Sequence, residues 1–287
     1  MQKSLVLKHP AIANPRNVSS NTKRPHDTTM TEYVIICLFA LLGSGLTLFS
    51  GFGLGTILVP VFALFFPIDI AITLTAIVHF LNNIFKLALL GKNADKNVIV
   101  KFGIPSIIAA FIGAYLLTYV TKLAPIFNYT LLDKTFYIVP VKLTIAILLF
   151  VFALFDIVPK FTKLQFDTKY LSLGGLLSGF FGGLSGNQGA LRTAFLIRTN
   201  LTKEAFIATG VVIACLVDIS RLTIYSNQII SFGDQLNYPL IISATLSAFI
   251  GAYFGNRLLK KVTIKTIQYI VATMLIVFAV LLGLGII

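Results

Sequence analysis

Polar side chains follow directly on a glycine-rich break in an otherwise apolar segment. The segment covers residues 174–197, and Asn187, Gln188 and Arg192 come just after its glycine run at 182–186. A helix that restarts at this point presents free N–H groups and the positive end of its dipole beside a permanent cation. Because these groups suit an anion, the sequence predicts an anion site here. Its candidate substrate-binding residues are Gly186, Asn187, Gln188, Gly189 and Arg192.

A second glycine-broken apolar segment lies earlier in the chain, at residues 43–60. Its turn carries glycines and Thr56 but no charged residue, so any site there depends on backbone donors. Inside a bilayer, the N–H and C=O groups freed by a broken helix need a partner in protein or in a polar cavity. Two such segments in corresponding positions therefore predict a transport site. Its candidate residues on the first-half side are Gly51, Gly53, Gly55 and Thr56.

Ionisable residues also occur inside two other apolar segments. Four polar residues of one segment recur at spacings of three and four and so share a helix face: His79, Asn82, Asn83 and Lys86. In another segment, Asp218 and Arg221 are three residues apart and can pair. Polar groups at membrane depth are costly and usually face the bundle interior. Two interpretations stay open, proton coupling or a structural ion pair, for His79, Asn83, Asp218 and Arg221. Lys86 lies near the end of its segment, from where a lysine can extend to the membrane interface.

The composition is that of an integral membrane protein. Of the 287 residues, 57% are apolar and 11% are charged, and the mean hydropathy is +0.92. In a soluble domain about a quarter of the residues are charged. The basic residues behind the net charge of +13 lie between apolar segments, not in one cluster, which argues against a nucleic-acid partner. Cys37 and Cys215 lie inside apolar segments, so neither a disulfide, a metal site nor a cofactor is expected.

The chain divides into a polar tail at 1–30, a first membrane repeat at 31–158, a linker at 159–169 and a second membrane repeat at 170–287. Met30 directly precedes the first apolar block, so the tail is either disordered or not translated. Most blocks reach the roughly 18 residues that a membrane-crossing helix needs. The predicted fold is an all-α polytopic membrane protein, with a longer connection between the third and fourth blocks along the interface. The eight apolar blocks are 31–66, 68–90, 98–121, 136–158, 170–197, 205–226, 238–256 and 266–287.

The two membrane repeats look related in sequence. Three residues of the first repeat match three of the second at a constant offset: Gly55, Ala71 and Thr75 against Gly189, Ala205 and Thr209. The pentapeptide FIGAY occurs at 111–115 and again at 249–253. These ordered matches predict two related four-segment halves, each with a glycine-broken first segment.

The loop charges leave two orientations open. If all eight blocks cross once, the Lys and Arg residues are shared almost evenly between the two faces. If the fifth block instead dips in and returns, the loops around Asp95, Gln165, Leu201 and Lys261 share one face and hold most of the basic residues. That face would be cytoplasmic, and the halves would be inverted. If the first block crosses once, the N-terminus joins the same face.

The glycine motifs resemble those of a known family of permeases. GFGLGTILVP, at residues 51–60, resembles the opening signature of the sulfite exporter TauE/SafE family. Residues 179–222 are similar to the second-half signature of one branch of that family. The resemblance covers residues 31–287 and implies an eight-segment secondary transporter of small sulfur-containing or organic anions, often working outward.

The chain departs from the family pattern within both motifs. Leu54 interrupts the first glycine run, and Asn187 and Gln188 stand where many members have glycine. Leu191-Arg192-Thr193 replaces an apolar stretch. These changes make the predicted pocket more polar, so the resemblance does not by itself identify sulfite as the substrate.

The sequence therefore predicts a secondary transporter, an exporter, of a small anion such as sulfite, a sulfonate or another organic anion. It would work in the cell membrane, of the bacterial inner or plasma type. Its expected partners are the anion, the lipid bilayer and coupled protons, and the oligomeric state stays open. Two other functions remain, a passive anion channel and a non-transporting membrane scaffold. An enzyme is not predicted, because neither HExxH nor another catalytic motif is present.

Overall fold

The computed structural model describes residues 28–50, 53–162, 164–258 and 264–287. The predicted tail lies outside these residues apart from its last three, and so do Gly51 and Lys261. Within the described residues the fold is a bundle of helices with one β-hairpin.

The helices follow the apolar blocks. The first block contains α1 (Met30–Ser50) and α2 (Leu54–Ala63), and the fifth contains α8 (Leu171–Ser185) and α9 (Gly189–Leu196). A π-helical turn at Ile99–Gly103 joins two further helices into one rod. The remaining helices are α3 (Ile68–Leu90), α4 (Lys96–Val98), α5 (Ile104–Thr121), α6 (Pro140–Ile157), α7 (Pro159–Thr162), α10 (Lys203–Phe232), α11 (Tyr238–Leu258) and α12 (Ile264–Gly283).

Helices of this bundle are built to lie in lipid. Among the described residues, five are long and apolar enough to cross a membrane: Met30–Thr47, Ile68–Asn93, Lys96–Thr121, Lys203–Phe232 and Tyr238–Gly255. Exposed apolar residues recur every fourth position, as at Val34 and Leu38 of α1 and at Ile104 and Ile108 of α5. Residues four apart share a helix face, so each row forms an apolar stripe on the outside of the bundle. The fold is that of a multi-pass membrane protein.

The first and fifth blocks each fold back on themselves at the glycines. Gly43 of α1 lies against Leu54 and Ile57 of α2, because a Cβ atom placed on it would come 3.0 and 3.3 Å from their side chains. In the fifth block a Cβ atom on Gly174 would collide with the ring of Phe195. Both blocks are therefore helical hairpins, and the fifth returns toward its starting end, as one of the two predicted orientations requires.

One end of the bundle collects the loops after α3, α6 and α9. The backbone N–H of Asp95 donates to Thr209 Oγ1 at 2.9 Å, and Ser172 Oγ donates to the Lys101 carbonyl at 3.1 Å. Arg198 Nε donates to Gln165 Oε1 at 3.3 Å across the same end. We call this the basic end, since these loops carry Lys92, Lys96, Lys160, Lys169, Arg198 and Lys203.

The described chain begins at the opposite end. The hydroxyl of Tyr33 in α1 donates to Asn237 Oδ1 at 3.1 Å. Asn237 lies between α10 and α11, at the end of α10 that is far from the basic end. The condition under which the N-terminal side would join the basic loops, a single crossing of the first block, is therefore not met. The physical reason is the return of α2 beside α1, which brings the chain back to the end where it started.

The helices of the described residues agree with the all-α prediction, and the connection between α5 and α6 adds one β-hairpin. Residues Phe127–Leu131 (β1) and Lys134–Ile138 (β2) pair in antiparallel register around a turn at Leu132 and Asp133, which have φ angles of 50° and 60°. Tyr129 and Phe136 stack across the pair with ring centroids 5.3 Å apart. Alternating aromatic and polar residues in this connection favour a strand, and the apolar blocks on either side obscured that pattern.

The helices pack in a crossed arrangement. Small residues of α8 press on the backbone of the rod ending in α5, so that Cβ atoms on Gly175, Gly179 and Gly183 would collide with it. Likewise Gly251 of α11 meets the backbone of Leu41 in α1. Each early helix thus contacts a late one, while α3 packs on α10 and α6 on α12. The crossing brings the turns of both hairpins to the centre of the bundle.

Candidate functional site

The two helix breaks meet at the centre of the bundle. A Cβ atom placed on Gly53 would lie 3.5 Å from the Gly186 carbonyl oxygen, and one on Gly55 would lie 3.6 Å from it. Gly186 ends α8 with φ of +78°, a left-handed conformation that side chains strongly disfavour. Glycine at position 186 therefore allows the sharp turn, and the backbones of Gly53 and Gly55 lie close to its carbonyl group.

A buried ion cluster lies beside the breaks on α3 and α10. His79 Nδ1 is 2.7 Å from Asp218 Oδ2, and Asn83 donates its amide to the same oxygen at 2.9 Å. Arg221 Nη2 lies 2.9 Å from Asp218 Oδ1, close enough for an ion pair but off the line of a hydrogen bond. His79, Asp218 and Arg221 are each at most 2% exposed. One cluster thus contains the four residues for which proton coupling and a structural ion pair were both open: His79, Asn83, Asp218 and Arg221.

The geometry gives the two His79 nitrogens different neighbours. An ionised carboxylate only accepts hydrogen bonds, so Nδ1 carries the hydrogen that faces Asp218. The other nitrogen, Nε2, points to the first break, 3.3 Å from where a Cβ atom of Gly53 would be. His79 therefore connects the first break to the buried carboxylate.

Arg221 reaches the second break. Its Nη1 would lie 2.7 Å from a Cβ atom on Gly186. Among the described residues, its Nε and Nη1 are buried without a hydrogen-bond partner. A buried donor without a partner costs about 1–3 kcal/mol, and more when it is charged. The guanidinium is thus held at the break by Asp218 with part of its donor capacity unused.

The side-chain amides of Asn187 and Gln188 lie at the same turn. Both residues are buried, and within the described part of the chain neither amide has a partner for its oxygen or its nitrogen. Backbone groups fix their position, since Ser178 Oγ donates to the Gln188 carbonyl at 3.1 Å and the Arg192 N–H donates to it at 3.0 Å. The turn thus holds donors and acceptors that no described residue satisfies.

Arg192 lies in the first turns of α9, facing α10. Its Nε would be 3.2 Å from a Cβ atom on Gly210, so the guanidinium packs over that glycine. Its Nη1 is buried and has no partner among the described residues. The structure therefore separates the two arginines, with Arg221 at the break and Arg192 nearer the basic end.

The first break offers backbone and apolar groups. Gly53 precedes α2 in an extended conformation, and no side chain caps this helix. The Thr56 N–H bonds back to the Gly53 carbonyl at 3.1 Å, and every residue of α2 is buried. Gly55 therefore lies at the meeting point of the breaks, with Thr56 next to it in α2, and Gly189 is the first residue of α9.

Lys86 and Asn82 extend the polar face of α3 toward the basic end. Lys86 is 5% exposed, so it does not extend to the interface as the sequence allowed. When the Asn82 amide is turned to suit its neighbours, its oxygen accepts from Lys86 Nζ at 3.2 Å, and its nitrogen donates to Ser44 Oγ at 3.0 Å. The sequence showed that these residues share a face but gave no signal that Lys86 would be enclosed.

These features define a membrane-embedded bundle whose centre carries buried charges and two broken helices. Residues 36–282 match the family described as Sulfite exporter TauE/SafE, and the chain belongs to this family. It is a transmembrane permease, as the glycine motifs predicted. Searches among curated proteins and among solved structures each found no match. Within the described residues, no group of three or more His, Cys, Asp or Glu side chains is placed to hold a metal ion.

Proposed function

We propose that this permease exports a small anion, such as sulfite, a sulfonate or another organic anion, across the cytoplasmic membrane. One observation carries the proposal: donors of Arg221, Asn187, Gln188 and Arg192 are buried around the second break with no partner among the described residues. Buried polar groups in native proteins are nearly always hydrogen-bonded. An anion at this turn would satisfy them, and the membrane family to which the chain belongs supports that assignment.

Each group at the second break has a role in this proposal. Arg221 supplies charge at the turn and Arg192 supplies it nearer the basic end, and a guanidinium can hold an oxyanion by two parallel hydrogen bonds. Asn187 and Gln188 tune the geometry with their amides. The backbone of Gly186 and Gly189 lies at the start of α9, whose dipole favours negative charge.

The first break completes the pocket from the other side. Gly53 and Gly55 approach Gly186 closely, and Thr56 follows in the first turn of α2. We assign backbone contact with the anion to these residues, because no charged side chain occurs in this turn.

The ion cluster couples transport to protons in this proposal. A proton taken up at His79 Nε2 would create an imidazolium that Asp218 stabilises through Nδ1. The carboxylate would then be shared between two cations, and its hold on Arg221 would weaken. Arg221 would be freer to hold an anion at Gly186, so that protonation of His79 changes the affinity for the anion. Asn83 orients the carboxylate through its 2.9 Å hydrogen bond.

The crossed packing supports two inverted halves. The hairpin α1–α2 opens toward the end where the described chain begins, and α8–α9 opens toward the basic end. Inverted repeats with broken helices at the midplane commonly alternate access by rocking one part against the other. We assign the basic end to the cytoplasm, since Lys and Arg concentrate in cytoplasmic loops.

The test is flux into proteoliposomes containing the purified protein. Sulfite, thiosulfate, methanesulfonate and a small carboxylate would first be screened by thermal shift, where about 2.7 kcal/mol of stabilisation is expected at a ligand concentration of 100 Kd. Saturable flux that an imposed pH gradient drives against the anion gradient is the expected result. Flux that does not saturate and only follows the anion gradient would indicate a channel. Neither binding nor flux for any anion would indicate a scaffold and overturn the proposal.

A further inference from the structure

Lys86 is a buried cation for which the described residues provide no counter-charge. It lies on α3, is 5% exposed, and has the Asn82 side-chain oxygen as its neighbour at 3.2 Å. An ammonium group buried in a membrane bundle normally pairs with a carboxylate or faces a polar cavity. Of the described carboxylates, Asp95 lies toward the same end, but its Oδ1 already accepts from the Val98 N–H at 2.8 Å.

Arg192 lies at the same level of the bundle as Lys86. Helices α3 and α10 meet at His79 and Asp218 and again where the Asp95 N–H donates to Thr209 Oγ1, and both Lys86 and Gly210 lie between these two contacts. Arg192 Nη1 is buried without a partner among the described residues, and the guanidinium packs over Gly210. Two like charges held near each other in a medium of low dielectric repel strongly. Their common surroundings are therefore suited to a negative charge from outside the chain.

The charges of the bundle interior do not balance. Lys86, Arg192 and Arg221 are cationic, whereas Asp218 is the carboxylate among them. Glu32, the other buried carboxylate of the described residues, lies in the first turn of α1 at the opposite end. With Asp218 ionised and His79 neutral, the described side chains of this interior hold two more positive charges than negative ones. One doubly charged anion would neutralise it.

We infer that Lys86 and Arg192 form a two-cation site, toward the basic end, that selects small doubly charged oxyanions over singly charged ones. The inference rests on the proposed function and narrows its substrate class, because sulfonates and monocarboxylates carry one charge. Lys86 is then a specificity-determining residue. The guanidinium of Arg192 holds the oxyanion by two parallel hydrogen bonds, and Lys86 supplies the second positive charge.

The site has a defined place on the path through the bundle. Lys86 is seven residues past His79 on α3, which is about 10 Å nearer the basic end at the usual helical rise. Gly210, under Arg192, is eight residues before Asp218 on α10, about 12 Å in the same direction. A substrate from the basic end would meet Lys86 and Arg192 before it reaches Arg221 and the breaks.

The test compares sulfate and thiosulfate, which carry two charges, with methanesulfonate, which carries one. Affinities are measured by titration of the purified full-length protein at one pH and ionic strength. We expect both dianions to bind wild type at least about tenfold tighter than methanesulfonate, and Lys86→Gln to reduce that preference about tenfold, as expected for loss of one charged hydrogen bond. Lys86→Arg should keep the preference. The matched control is Lys142→Gln, a partly buried lysine at the start of α6, which should leave it unchanged.

The outcomes separate this inference from the proposed function. If the anions bind but wild type does not prefer the dianions, or if Lys86→Gln leaves the preference intact, the two-cation site is wrong while anion binding stands. If Lys142→Gln lowers the preference as much as Lys86→Gln, the effect is general electrostatics, and the site is again wrong. If no anion binds wild type, both proposals fail.

Discussion

The two helix breaks share a backbone design and differ in their side chains. At the first, α2 starts with the buried residues Leu54, Ile57 and Leu58, and the described part of the turn has no charge. At the second, α9 starts beside Asn187, Gln188 and Arg192, and Arg221 reaches the turn from α10. Both place glycine backbone at the centre of the bundle.

This difference shows that a broken helix alone does not make a binding site, which also needs side chains that can bind a ligand. A broken helix only frees backbone groups, and close packing of Gly53 against Gly186 can shield them. The second break adds side-chain donors that the described residues leave unused. In the proposed function, the first hairpin is therefore a wall of the pocket and the second is the part that would bind the anion.

The largest loss of stability and transport is expected from substitution of Asp218, the carboxylate that pairs with the buried cations of the second half. Asp218→Asn removes the carboxylate that holds both His79 and Arg221, leaving a buried guanidinium uncompensated. Removing one partner of a buried pair costs about 3–5 kcal/mol. Thermal unfolding in detergent measures the loss, and proton-driven flux should disappear. Glu204→Gln, at an exposed carboxylate in the first turn of the same helix, is the control and should leave stability unchanged. Equal stability of both variants would contradict the role given to Asp218.

Paired alanine substitutions test the two breaks directly. At Gly186 the φ of +78° and the nearby Arg221 Nη1 both oppose a methyl group, so Gly186→Ala should abolish transport. The left-handed strain alone is about 1–2 kcal/mol. At Gly53 the backbone is extended and the methyl group meets His79 Nε2 at 3.3 Å, so Gly53→Ala should lower flux several-fold. Initial flux rates from protein of matched abundance give the measurement. A more severe loss at Gly53 would reverse the roles of the two hairpins.

Substitution of Arg192 should affect binding more than folding. Loss of an arginine contact to an oxyanion is worth about 1.5–3 kcal/mol, or tenfold to a hundredfold in affinity. Arg192→Ala should therefore nearly abolish transport, and Arg192→Lys should weaken binding because an ammonium cannot make the parallel pair of hydrogen bonds. Arg198→Ala, further along the same segment in an exposed position, serves as the control. A less stable Arg192→Ala protein with unchanged anion affinity would assign Arg192 a structural role.

The orientation of the hairpins can be tested without disturbing function. Single cysteines at Asp95, Gln165 and Leu201 should be labelled from the cytoplasm, and a cysteine at Asp133 in the β-hairpin from outside. Cys37 and Cys215 are first replaced, and transport should be unchanged in each variant. Labelling of Leu201 from outside while Gln165 stays inaccessible would contradict the return of α9 beside α8. The predicted loop at Lys261 lies outside the described residues.

The sequence indicated the residues of the candidate site but not their arrangement. Gly53, Gly186, Asn187 and Arg192 could be identified because glycine breaks and charges are rare in apolar segments. The spacing of Asp218 and Arg221 showed that they can pair, yet nothing in it showed that Arg221 also reaches Gly186. That contact depends on how α10 packs against another helix, which periodicity along one helix cannot specify.

Long-range packing also explains what was missed in the fold. The FIGAY repeats indicated duplication, but their partners, α8 for one and α1 for the other, follow from backbone contacts at glycines far apart in sequence. The β-hairpin was not predicted because its strands have five residues each, too few for a clear alternating pattern. Its aromatic residues also continue the apolar character of the helices on either side.

The most direct test is the position of a bound anion. Selenite has the shape and charge of sulfite and scatters X-rays anomalously, so crystals of the protein grown with it would reveal the site. We expect an anomalous peak at the second break, within hydrogen-bonding distance of Arg192 or Arg221 and of the Gln188 or Asn187 amide. A selenite peak elsewhere in the bundle, with this turn unoccupied in a protein that transports the same anion, would contradict this expectation.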